Sequence, residues 1–183
     1  VAETIGRHVH EALFFTSQHE LQTESAPFLR EGLESGGDAV LACTEVHNEA
    51  LSHALGDDER VIRLARREIY RKPVTALESI RDFLGARVEA GTSQVRVVCE
   101  VDYGSTARSW DDWCRFEAVV NHVLTDFPLW TLCAYDVPHL PGVVLDAGLI
   151  THPIVRRSGR RGENPDYRDP AEVLRRPPLD VPS

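Results

Sequence analysis

The chain has 183 residues, a formal charge of −9, 42% hydrophobic and 27% charged side chains, the profile of one ordinary globular domain. No apolar run approaches the roughly 20 residues of a membrane span, and residues 1–7 have no signal-peptide core, so a cytosolic domain is expected. The charge is uneven, with 13 basic against 24 acidic residues through Val155 and 7 against 5 beyond it. An acidic body disfavours direct nucleic-acid binding, which needs a basic face.

Residues 8–15 read as a strand, and Ser17 and Glu20 have the Ser-x-x-Glu form of a helix-capping box. Ser25 and Pro27 are placed to open a second helical stretch that Gly36 and Gly37 close. A short apolar strand over 38–44, a helix over 45–55 and a third strand over 60–65 follow. Pro73 then starts an amphipathic helix, because Val74, Leu77, Ile80, Leu84 and Val88 recur at steps of three and four. A strand at 94–101, a helix at 110–125 capped by Ser109 and Asp112, a strand at 129–136 and a helix at 141–150 complete the alternation. Pro153 forces His152 toward an extended conformation and leads into an edge strand at 154–155.

Strands alternating with helices, and inner strands that are continuously apolar, predict an α/β fold with a mainly parallel sheet and helices on both faces. The domain is expected to span residues 1–155. Residues 156–183 have the polar, Pro-, Gly- and Arg-containing composition of a linker, with one or two helical turns at 169–174. Linker composition, together with the absence of methionine, leads to the expectation that the chain is one piece of a larger protein. Cys43, Cys99, Cys114 and Cys133 occur singly, without a CxxC, and read as buried free thiols.

Several chemistries have no motif here. There is no GxxxxGK[ST] phosphate loop, no GxGxxG after the first strand and no GxSxG elbow. Open parallel sheets place ligands beyond the carboxyl ends of their strands, which directs attention to Glu100 and Asp102 and to Tyr135 and Asp136. Glu117 shares a helix face with Trp113, Val120 and Leu124, so its carboxylate must be paired when buried. Asn121, one turn on, is one candidate partner, and a buried salt bridge to an arginine elsewhere is the weightier reading. Trp110 and Trp113 are core residues or pocket walls. His8 and His10 share a strand face, but no third ligand is placeable from sequence and no metal is assigned. His152 is a capping or surface residue or a member of a site.

In order, the segments HEALFF, FLREGL, GGDAVLAC, RVVCE, a Trp-containing helix with FE and Asn, LCAYD and THP resemble the MEDS sensory-domain family over residues 8–155. The family is named for methanogen, methylotroph and dichloromethane-regulator sensors. The resemblance implies a RecA/KaiC-like fold without a working phosphate loop and a role in sensing small hydrocarbon derivatives. It also implies a C-terminal output domain in a bacterial signalling or transcription-regulatory protein, of the histidine-kinase-like ATPase or anti-sigma-factor type. His10, Glu100, Glu117, Cys133, Tyr135 and His152 match the family's recurrent polar positions. Cys99 stands where a small residue such as Gly is expected, which would narrow or chemically alter the pocket.

The expected function is a non-catalytic sensor module. Its ligand-binding residues are His10, Glu100, Trp113, Glu117, Asn121, Cys133, Tyr135 and His152. Its partners are a small, partly apolar molecule, an output domain and a possible second copy, with no cofactor identified. Two alternatives accompany it: an enzyme using Glu100 or Glu117 with His152 or Cys133, and a degenerate ATPase fold serving only as a dimerisation or docking scaffold.

Overall fold

A computed structural model describes residues 8–178. The strands are β1 (Val9–Phe15), β2 (Asp38–Ala42), β3 (Ile62–Arg63), β4 (Val95–Cys99), β5 (Leu129–Asp136), β6 (Ile154–Arg157) and β7 (Arg160–Glu163). They form a seven-stranded sheet in the order β3-β2-β4-β5-β1-β6-β7. All pairs are parallel except β6 with β7. The helices are α1 (Gln18–Glu34), α2 (Glu45–Ala54), α3 (Arg66–Ile69), α4 (Pro73–Glu89), α5 (Ala107–Val123), α6 (Gly142–Thr151) and α7 (Pro170–Arg175). The chain thus has the expected α/β fold, a mainly parallel RecA/KaiC-like sheet between two helical layers.

Strand alternation divides the core in two. Leu13, Phe15, Leu41, Val98 and Leu132 pack against Leu21, Phe28 and Leu29 of α1 and Leu51 of α2. The opposite face, with Ala12, Val40, Ala42, Cys99, Cys133 and Tyr135, packs against Leu84 of α4, Trp113, Phe116 and Val120 of α5 and Val144 of α6. Only Thr16 and Ser17 separate β1 from α1, so no glycine-rich loop can wrap a phosphate there.

Several local expectations are corrected. Helix α1 continues through Pro27, because burial of Phe28 and Leu29 outweighs the one backbone bond that proline removes. The cap of α5 is Thr106, whose side chain accepts from the Ser109 amide, so the helix begins two residues before the Ser109 cap. The third strand shrinks to Ile62–Arg63.

The stretch after Val155 does not behave as its composition reads. Residues 156–163 complete β6 and add β7, and α7, capped by Asp169, packs onto α5. Val173 is buried with Cys114, Ala118 and Ala147. Arg115 donates to the carbonyls of Leu174 and Arg176. The attachment is largely ionic and backbone-mediated, so it leaves little trace in a hydropathy pattern.

Candidate functional site

Between the sheet and the α3–α5 layer lies a cavity of about 250 Å³. Its floor is made of small residues at mid-strand, Ala42, Val97, Cys99, Thr131 and Cys133, and its roof of Tyr70, Ile80, Phe83, Leu84 and Phe116. The space exists because the floor side chains are short where the facing aromatics are held apart by α3 and α4. The wall is overwhelmingly apolar; His8, His10, Glu117 and Thr131 form one connected polar group, and Ser79 of α4 lines the cavity apart from it. Buried apolar space with a few convergent polar groups is the usual form of a small-molecule site. It sits on one face of the sheet rather than beyond the strand ends, where the sequence argument placed it.

The polar end has a defined hydrogen-bond order. Asn121 on α5 donates its amide nitrogen to the carbonyls of Glu117 and Thr151. Its oxygen therefore faces His10 Nδ1, 3.0 Å away, and takes that proton. His10 Nε2 is left 3.1 Å from Glu117 Oε2 and 3.4 Å from Cys133 Sγ. His152, the extended residue after α6, directs Nδ1 at the Gly148 carbonyl, 2.9 Å away. A carbonyl only accepts, so Nδ1 carries the hydrogen and Nε2 a lone pair. That nitrogen lies 3.6 Å from Glu117 Oε2, and the His10 and His152 rings are 3.9 Å apart. Burial, and then His10, hold the His152 imidazole well below its ordinary pKa. Burial and the same neighbour push His8 down to about 3. Burial, and then Cys99, push the Cys133 thiol well up.

Of the eight residues expected from sequence, His10, Glu117, Asn121, Cys133 and His152 converge here. Asn121 orients His10 and the helix backbone rather than pairing with the Glu117 carboxylate, and the partners of that carboxylate are histidines, not an arginine. His152 is fully buried, not a surface residue. Tyr135 lies one layer behind, edge-on to His152 at 5.6 Å and accepting from the Tyr103 hydroxyl at 2.8 Å. Trp113 packs edge-on against Tyr70 and Phe116 and so supports the cavity roof from outside. Cys99 does line the cavity, its sulfur 3.6 Å from that of Cys133.

Glu100 belongs elsewhere. Alternation along the strand turns it to the α1–α2 face, where its carboxylate accepts from the Thr44 amide and contacts His47 Nδ1 at 2.9 Å. Burial would raise its pKa, but the bonds from His47 and Thr44 outweigh it and leave the group lowered. Arg66 donates to the carbonyls of Glu100 and Val101. A pocket lined jointly by Glu100, Glu117 and His152 is not what the fold assembles.

Sequence reasoning missed Tyr70, Ile80 and Phe83 as cavity-lining residues, since apolar residues around a cavity look like any core. It also missed Glu11, fully buried and accepting from Trp130, Arg156 and Arg161. The available signal was an acidic residue inside an apolar strand.

Fold and cavity together define an α/β domain of RecA/KaiC-like architecture that has a mostly apolar cavity against its sheet and no phosphate loop after its first strand. The family model "MEDS: MEthanogen/methylotroph, DcmR Sensory domain" matches residues 9–153, and the chain belongs to that family of sensory domains. No curated protein matches the chain. Among the described residues, no helix is long and apolar enough to cross a membrane.

Proposed function

We propose that this sensory domain binds one small, mostly apolar molecule bearing a single polar group, with its apolar part under Ile80, Phe83 and Leu84 and its polar end at His10 and Glu117. The observation that supports the reading is the division of one partly open cavity into a large apolar wall and a compact polar group at His8, His10, Glu117 and Thr131. Its volume of about 250 Å³ exceeds the ~150 Å³ that admits benzene in a protein core, so a ligand of a few carbons with a functional group fits. Helix α5 offers a route outward. It carries Phe116 and Glu117 in the cavity wall and Cys114 and Ala118 beneath α7. A ligand that favours one position of α5 shifts α7 with it, and through α7 an output domain of the histidine-kinase-like or anti-sigma type. Coupling of this kind needs differential affinity for two arrangements, not contact at a distance.

The role proposed is non-catalytic. Glu100 and His152 lie on opposite faces of the sheet, which removes one of the acid–base pairs considered from sequence. The test is calorimetric titration of the full chain with short-chain alcohols, thiols and haloalkanes. Wild type should bind at least one class. Ile80→Trp, which fills the apolar end, should lose at least ten-fold in affinity while its circular dichroism is unchanged.

A further inference from the structure

Four ligand-bearing side chains from four elements meet at the polar end of the cavity: His10 of β1, Glu117 of α5, Cys133 of β5 and His152 after α6. One donor atom from each lies within 4.8 Å of the others, and all four residues are buried. The closest separations, 3.1 Å, 3.4 Å and 3.6 Å, lie within a few tenths of an ångström of the edge of a tetrahedron with bonds of about 2.0–2.3 Å, roughly 3.3–3.8 Å.

The surroundings support coordination rather than a simple hydrogen-bond cluster. Each imidazole has its Nδ1 hydrogen taken by a fixed acceptor behind it, the Asn121 oxygen for His10 and the Gly148 carbonyl for His152. Both therefore aim the Nε2 lone pair inward, the orientation that outer-shell acceptors impose on metal-binding histidines. Two atoms of these side chains, Glu117 Oε1 and His152 Nε2, are buried without any hydrogen-bond partner. Such atoms normally carry a cost of about 1–3 kcal/mol each. Among the described residues, no lysine or arginine lines the cavity to neutralise Glu117.

We propose that His10, Glu117, Cys133 and His152 bind one divalent first-row transition ion of the zinc type in a tetrahedral N₂OS site. The donor set excludes calcium and magnesium, which take oxygen ligands, and suits borderline ions that accept imidazole and thiolate together. One carboxylate and one thiolate balance the charge of the ion. On binding, the Cys133 S–H bond is replaced by a sulfur–metal bond and its proton leaves to solvent. Three of the four ligands line the cavity, so the ion forms part of its polar end. Metal binding is read separately from small-molecule binding, and either can fail without the other.

The experiment is a titration of the chelator-treated full chain with Co²⁺ and then Zn²⁺. One Co²⁺ per chain is expected, with a thiolate-to-cobalt charge-transfer band and the intense visible bands of tetrahedral cobalt, all displaced by Zn²⁺. Cys133→Ser should abolish the charge-transfer band. Asn121→Leu, which frees the His10 ring, should keep the band but weaken binding by about 10–100-fold. Cys43→Ser, on the opposite face of the sheet, should change neither. A folded wild-type chain that takes up no stoichiometric ion overturns the proposal, as does a charge-transfer band that survives in Cys133→Ser. Zinc-edge X-ray absorption of the wild-type complex needs no variant: one sulfur with three nitrogen or oxygen neighbours is expected, and a shell without sulfur contradicts it.

Discussion

Glu117 sits in the core with one carboxylate oxygen unpartnered. A carboxylate on the apolar face of α5 costs several kcal/mol if left alone, and the two histidines it faces have their Nδ1 hydrogens tied to Asn121 and Gly148, so the proposed ion would be its partner. Tyr135, one layer behind, has a purely structural bond to Tyr103. Tyr135→Phe is expected to lower stability by about 1 kcal/mol, measured by urea denaturation, and to leave small-molecule affinity within two-fold. The Glu100–His47 pair gives a separate, pH-dependent term. The bond to Glu100 raises His47 above its ordinary 6.5, so its contribution is full below that value and lost as pH rises through the raised one. Glu100 is lowered from 4.5, so its contribution is present above that value and lost as pH falls through the lowered one. The pair therefore stabilises most between pH 4.5 and 6.5. The term is of the order of 0.5–1 kcal/mol, because the pair is partly exposed. His47→Gln should flatten the decline in denaturation midpoint above pH 6.5, and an unchanged slope would reject the assignment.

At the scale of elements, α6 positions the site through close approach. A Cβ on Gly148 would stand 2.7 Å from the Tyr135 ring, and the Gly148 carbonyl holds His152. Gly148→Ala should cost about 1–3 kcal/mol by overpacking, visible as a lower denaturation midpoint, and should weaken Co²⁺ binding by shifting His152. At Gly32 an added Cβ would likewise meet a held group, the Arg96 stem, 2.8 Å away, which Gln94, Glu31 and the Phe28 carbonyl fix in place. The same elements show what sequence could carry. Periodicity placed Glu117 on a buried face, and Pro153 placed His152 in extended backbone. Strand alternation, however, sends Glu100 and Cys99 to opposite faces, which a run of buried residues on both sides does not reveal. In α4 the stripe Val74, Leu77, Ile80, Leu84, Val88 is regular, yet its ends, Val74 and Val88, are exposed, and only Ile80 and Leu84 meet the cavity. A space is the absence of atoms, and no residue pattern encodes it.

For the whole molecule, the segment beyond Val155 is part of the sheet. Glu11, at the centre of β1, depends on Arg156 and Arg161 from β6 and β7, and removing one side of a buried ion pair costs about 3–5 kcal/mol. A chain ending at Val155 should unfold at markedly lower denaturant than the full chain, and equal midpoints would show that β7 and α7 are dispensable. The alternation of strands and helices made the layered architecture legible, because burial on both faces writes itself into hydropathy. The final hairpin and helix were not legible, because charges and backbone groups hold them.

The central claim, that the cavity is the sensing site, rests on whether its apolar end takes up a ligand. Calorimetric titration of short-chain alcohols, thiols and haloalkanes into wild type and Ile80→Trp tests it most directly. Binding by wild type that falls at least ten-fold in a folded Ile80→Trp is the predicted result. Equal affinity in the two proteins would place the ligand elsewhere and contradict the account.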